Sequence, residues 1–248
     1  MAPTHTPSPT APTFTFTRRV GDSDTRDMVA DYLAAAFDVF GFDLSARACN
    51  VELTRENSNV RGTFRAGYSV TTQGRTAHVV DNPDETFTIR VNLNDADGWR
   101  ATAAHEVIHA IQSQTQTMVS ENTQRAGRRS WTVTRRWTTW NDAAAFVLDQ
   151  IARDGPSEAM TAALIEARES GEERTITRTR SQSFAAYLSL PWERQAFRLT
   201  TAVLRRTGYG PGTPEFRRAL RSAWSTRPTG APTPRGSPAK ASARWSRA

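Results

Sequence analysis

The sequence predicts an α+β protein in which a small twisted sheet precedes one central helix and a mostly helical C-terminal half. Three observations carry this. Residues 86–93 alternate, with Phe87, Ile89, Val91 and Leu93 on one side and Thr86, Thr88, Arg90 and Asn92 on the other; a strand with one buried face has this period of two. Residues 99–114 run without Pro or Gly behind Asn94-Asp95-Ala96-Asp97-Gly98, a stretch rich in turn and N-cap residues, as a helix start requires. Beyond these, residues 140–153, 157–169 and 190–206 carry helical patterns.

The remaining elements follow from local chemistry. From Asp24 to Phe40, Met28, Tyr32, Ala35, Ala36 and Val39 recur at three- and four-residue steps and Gly41 follows, which reads as a first helix. Residues 51–55, 63–70 and 75–80 are rich in β-branched and aromatic residues with Asn, Gly and Gln between them, and read as strands or hairpins. The segment 117–136 is polar and Arg-rich. Asp154-Gly155-Pro156 divides the two middle helices. In the last helix Pro191 occupies the first turn, Arg205 and Arg206 the last, and Gly208 follows. No internal repeat is present.

A chain of 248 residues with 38% hydrophobic residues can bury one core. Its ends are too polar and Pro-rich to join that core, so a domain over 17–225 is expected between disordered tails at 1–16 and 226–248. The formal charge of +7 is uneven: Arg227, Arg235, Lys240, Arg244 and Arg247 stand in a tail without acids, and without them the charge is +2. Such a tail, with Trp245, is suited to weak contact with nucleic acid or to plain solubilisation. Cys49 is the single cysteine, which excludes a disulfide-stapled scaffold. No run approaches the roughly 18 apolar residues of a membrane span, and residues 1–13 lack the apolar core of a secretory signal. The expectation is a chain that is neither exported by that route nor membrane-bound.

The chemistry concentrates in His105-Glu106-Val107-Ile108-His109. On a helix two His at i and i+4 stand about 40° apart around the axis and reach one ion, while the intervening Glu can act as a base without ligating. Ala104, Val107, Ile108 and Ile111 form a stripe roughly 130° away from the His pair, so one face packs while the other presents imidazoles. Two solvated His one turn apart would be the ordinary alternative, but chance rarely produces this pattern in a chain with four His. It points to a zinc site.

A catalytic zinc takes three protein ligands and keeps one open position. His5 stands in the N-terminal tail and His78 in an expected strand, where a surface or core role is the plainer reading. The extended pattern with Gly at 112 and His at 115 is absent, because Gln112 and Thr115 stand there. Glu193 is the favoured third ligand: it heads an apolar face of the last helix formed by Ala196, Phe197, Thr200 and Leu204, although a first-turn acid also complements a helix N-terminus. Asp142, Glu158, Glu166 and Glu169 are the alternatives.

Two stretches, Ala104 to Gln112 and Tyr187-Leu188-Ser189-Leu190-Pro191-Trp192-Glu193-Arg194-Gln195-Ala196, resemble the gluzincin metallopeptidases, in particular small phage- and bacteria-associated peptidases of zincin-like fold. The resemblance covers under a tenth of the chain. It implies a strand before the metal helix, zinc on His105, His109 and Glu193, and peptide-bond hydrolysis with Glu106 as general base. The spacing departs from the smallest members, because 84 positions separate His109 from Glu193. Tyr187 is a candidate oxyanion donor or a packing residue, and residues 86–93 could pair with an extended peptide or with another strand. The expected partner is a peptide or protein substrate, and the expected location cytoplasmic or phage-associated. The competing reading is a nucleic-acid-associated or virion assembly protein whose metal site is structural or inactive.

Overall fold

The computed structural model describes residues 10–225 apart from 18–20, 57–60, 95, 97, 127–130 and 179–183. The basic segment 226–248, His5 and the first part of the N-terminal tail lie outside the described residues. Within them the chain is α+β, with two sheets and seven helices.

In the first sheet β1 (Thr13–Phe16), β2 (Ala48–Thr54) and β6 (Phe87–Asn92) run parallel, and β3 (Gly62–Arg65) pairs antiparallel with β6 at the edge. Alternation explains its packing: Cys49, Val51 and Leu53 of β2 and Phe87, Ile89 and Val91 of β6 are all fully buried. They meet α1 (Ser23–Asp38), whose Phe37 ring lies 6.1 Å from that of Phe87, and α2 (Trp99–Gln114). Strand β1 corrects the expected N-terminal tail, because residues 13–16 pair with Ala48–Val51 and so belong to the sheet. Strand β6 is paired on both sides, by β2 and β3, so it offers no backbone to a substrate. The cavity-facing edge is β3 instead.

Helix α2 has its expected core stripe, with Ala104, Val107, Ile108 and Ile111 no more than 1% exposed. Its other side is covered too, since Glu106, His109, Gln112 and Ser113 are buried. The sheet, α1, α6 (Pro191–Arg206) and α7 (Pro214–Ser225) all pack around it. Asp22 caps α1, whereas the N-cap position of α2 is Gly98, which has no side chain to do so; Asp95 and Asp97 of the polar turn before it lie outside the described residues.

The second sheet is an antiparallel array in the order β4 (Tyr68–Gln73), β5 (Thr76–Asp81), β7 (Met118–Ala126), β8 (Trp131–Asn141) and β9 (Glu173–Arg178). The stretch 63–70 therefore divides between two sheets. The chain crosses at Ala66-Gly67, where a Cβ on Gly67 would come within 2.2 Å of the Glu85 Cβ. The polar segment 117–136 holds β7 and part of β8. Its apolar signal is missing because Ser120, Asn122 and Gln124 face a cavity rather than a dry core. Strand β8 continues to Asn141, whose side chain accepts from the Ala144 amide at 2.9 Å, so α3 (Asp142–Asp154) begins two residues later than the helix expected from 140. Helix α4 (Glu158–Ser170) matches its expected span, while β9, α5 (Phe184–Leu188) and α7 are additions to the sequence reading. A second small core of Met118, Trp140, Ala145, Leu190 and Trp192 joins this sheet to α3 and α6. No helix among the described residues is long and apolar enough to cross a membrane.

Candidate metal centre

Helical periodicity brings His105 and His109 of α2 together, and the first turn of α6 delivers Glu193 to them from 88 positions beyond His105. The two imidazole Nε2 atoms lie 3.1 Å apart, and Glu193 Oε2 lies 3.3 Å from that of His105 and 3.4 Å from that of His109. These are the edges of a ligand tetrahedron: bonds of about 2.0–2.1 Å place neighbouring donors about 3.3 Å apart. Among the described residues, these three form the group able to hold a metal ion. The alternative acids are elsewhere: Asp142 pairs with Arg174, and Glu158, Glu166 and Glu169 are exposed on α4. His78 meets Glu121 at 3.3 Å and stacks near Trp137, on the face of the second sheet opposite Ala77 and Val79, which line the cavity.

Burial sets the electrostatics. For Glu193 desolvation opposes the charge, but His109 and His105 outweigh it and hold the carboxyl well below the usual carboxylate range. Burial likewise disfavours a charged His109, yet Glu193 and Glu106 lift its pKa to about 9. Near neutral pH the Glu193 carboxylate is therefore compensated by a protonated His109, and a divalent cation bound between them would take the place of that proton. The His109 ring is anchored by a 2.8 Å contact between Nδ1 and Gln112 Oε1, whereas His105 packs against Phe197 with ring centroids 4.4 Å apart.

Glu106 is 6% exposed and stands beside this trio without belonging to it. Desolvation raises its pKa, against the opposing pull of His105 and His109 and of the Phe64 backbone amide. Glu106, His109, Glu193 and Tyr187 all line a cavity of about 740 Å³ whose walls are β3 and the inner face of the second sheet. Tyr187 also packs against the small second core, so both of its expected roles are geometrically open. Comparison with protein-family models, curated proteins and solved structures finds no match.

Two residues of this cavity have no counterpart in the sequence reading. Gly62 lets β3 approach α2, since a Cβ there would lie 2.5 Å from Thr102 Cγ2, 2.8 Å from Glu106 Oε1 and 3.0 Å from the Arg90 carbonyl. Its only sequence signal is a glycine at the start of a strand. Gly62→Ala should displace Thr102, Glu106 or β3, and a misplacement of about 1 Å can cost about 10²-fold in rate. The three metal-site side chains should stay in place while any activity that depends on Glu106 falls. Such an activity left unchanged would mean that Thr102 alone gives way.

Asp81 is the second, and it accepts the Ser120 amide at 3.0 Å. Burial raises its pKa to about 6, against the opposing pull of that amide and of Arg136. Because the folded-state value exceeds the unfolded one, the folded protein binds more protons, and stability falls as pH rises from 3.8 to about 6. Asp81→Asn keeps an acceptor for Ser120 and removes the buried charge. It should raise stability at pH 7.5 by on the order of 2 kcal/mol and change it little at pH 3. Thermal melts showing equal shifts at both pH values would exclude charge burial as the cause.

Proposed function

We propose that this chain is a zinc-dependent metallopeptidase of gluzincin type and zincin-like fold. The observation that carries the reading is the convergence of His105, His109 and Glu193 at tetrahedral spacing, with a separate buried carboxylate, Glu106, beside them. Two imidazole nitrogens and one carboxylate oxygen suit zinc and leave its fourth position open. Zinc bound there would supply Lewis acidity toward a water molecule and the scissile carbonyl. Glu106 accepts the proton of the attacking water and returns it to the leaving nitrogen. Its buried setting favours holding that proton between the two steps. The Tyr187 hydroxyl donates to the oxyanion that develops on the carbonyl.

Substrate binding follows from the cavity walls. Among the described residues β3 pairs on one side only, and its Gly62, Thr63, Phe64 and Arg65 line the cavity. An extended peptide adds to that edge through backbone hydrogen bonds, which brings a carbonyl past Glu106. A purely structural metal site has no use for a buried base next to its ligands. The deciding experiment is a peptide-library digest with the zinc-loaded chain, the chelated chain and the chain re-supplied with zinc. Cleavage should appear, vanish and return; stoichiometric zinc without cleavage of any peptide would sink the peptidase reading and leave a binding site.

A further inference from the structure

Gln112 lies three residues after His109 on α2 and is fully buried. A buried amide is costly unless its donors and acceptor are satisfied. This one is saturated: Oε1 meets His109 Nδ1 at 2.8 Å, while Nε2 meets the Trp192 carbonyl at 3.1 Å and Gln195 Oε1 at 2.9 Å. The amide orientation follows from its partners, because a backbone carbonyl can only accept. The NH2 end must face Trp192, and the oxygen must face His109. An amide oxygen cannot donate, so His109 carries its hydrogen on Nδ1. The Nε2 lone pair of the neutral ring is then the one aimed at His105 and Glu193.

Gln195, also buried, is oriented by the same logic. Its Nε2 reaches the Ala145 carbonyl at 2.6 Å and Asp149 Oδ1 at 3.0 Å, both acceptors, which leaves Oε1 for Gln112. Donors therefore point one way along the whole chain, from His109 through Gln112 and Gln195 to the Asp149 carboxylate on α3, itself paired with Arg198. Each bond polarises the next, and a carboxylate at the end makes the imidazole a better donor of electron density. His105 has no such support among the described residues, where its buried Nδ1 has no hydrogen-bond partner.

We propose that Gln112 and Gln195 are positioning residues that fix the ring orientation and tautomer of His109, so that metal affinity depends on α3 as well as on α2 and α6. The affinity part of this rests on the metal reading above; the tautomer part does not. Nitrogen-15 NMR of histidine-labelled, metal-free protein, in alkaline buffer where the ring is neutral, should show His109 with hydrogen on Nδ1. Hydrogen on Nε2 would overturn the proposal whether or not the chain binds zinc. In chelator competition Gln112→Met, close in volume but without an acceptor, should weaken zinc binding about 10–100-fold, and Gln195→Met should weaken it less. Thermal melts of the metal-free variants separate loss of fold from loss of positioning. Wild-type affinity in a folded Gln112→Met also overturns the proposal. If that variant does not fold, Asp149→Ala, which removes the terminal acceptor at the edge of the core, replaces it: weakened zinc binding supports the relay and unchanged binding removes it. A wild-type chain that binds no zinc sinks the metal reading, and the NMR result still decides the tautomer.

Discussion

Glu106→Gln is expected to keep one metal ion per chain and to hydrolyse peptide at least a hundredfold more slowly, as loss of a general base typically does. The metal-site group consists of His105, His109 and Glu193, and Glu106 stands outside it, so the donor set is intact in the variant. Gln has nearly the same shape and its amide oxygen can still accept the Phe64 backbone amide that faces Glu106. What it lacks is the capacity to take a proton. Stability gives an independent check: burial raises the Glu106 pKa, so ionisation of this group opposes folding once pH exceeds 4.5. The metal-free variant should therefore melt at the same temperature as wild type or higher near neutral pH. Metal analysis, peptide hydrolysis and thermal melts together decide the matter, and a near wild-type rate would show that another group activates the water.

Glu193→Ala is expected to have the opposite signature, losing metal and stability together. Its carboxylate is 4% exposed and lies within 3.4 Å of both imidazoles. Removing a true ligand should cost more than the 10–100-fold that outer partners cost, so zinc should become substoichiometric after dialysis. The sign for stability follows from its depressed pKa. Its contribution is present above the unfolded value of 4.5 and is lost as pH falls below that. The variant should melt lower than wild type at pH 7, with a difference of a few kcal/mol or less because His109 can lose its proton once the carboxylate is gone. That difference should shrink on acidification. Alanine at Glu166 or Glu169, both exposed on α4, should leave zinc and stability unchanged. Full zinc occupancy in Glu193→Ala would remove the proposed ligand set.

Sequence by itself determined what depends on neighbours along the chain. The i, i+4 spacing placed His105 and His109 on one line of α2 with Ala104, Val107, Ile108 and Ile111 buried elsewhere, because helical geometry repeats every 3.6 residues. The alternation of 86–93 marked β6 because Phe87, Ile89 and Val91 enter the core while Thr88 and Arg90 between them are only partly buried. First-turn placement on an apolar helix singled out Glu193 among five acids, although nothing local measured its distance from the imidazoles. Only the tertiary structure decided that distance, the covering of β6 by β3, and the second sheet that walls the cavity. Strands β7 and β8 escaped notice since their inner face carries Ser120, Asn122, Gln124 and Thr138 toward a cavity, and polar residues on such a face erase the period that marks a strand. Gln112 shows the same limit: its spacing from His109 is visible in the sequence, but the role proposed for it depends on acceptors from α6, and through Gln195 on Asp149 of α3, that long-range packing alone brings together.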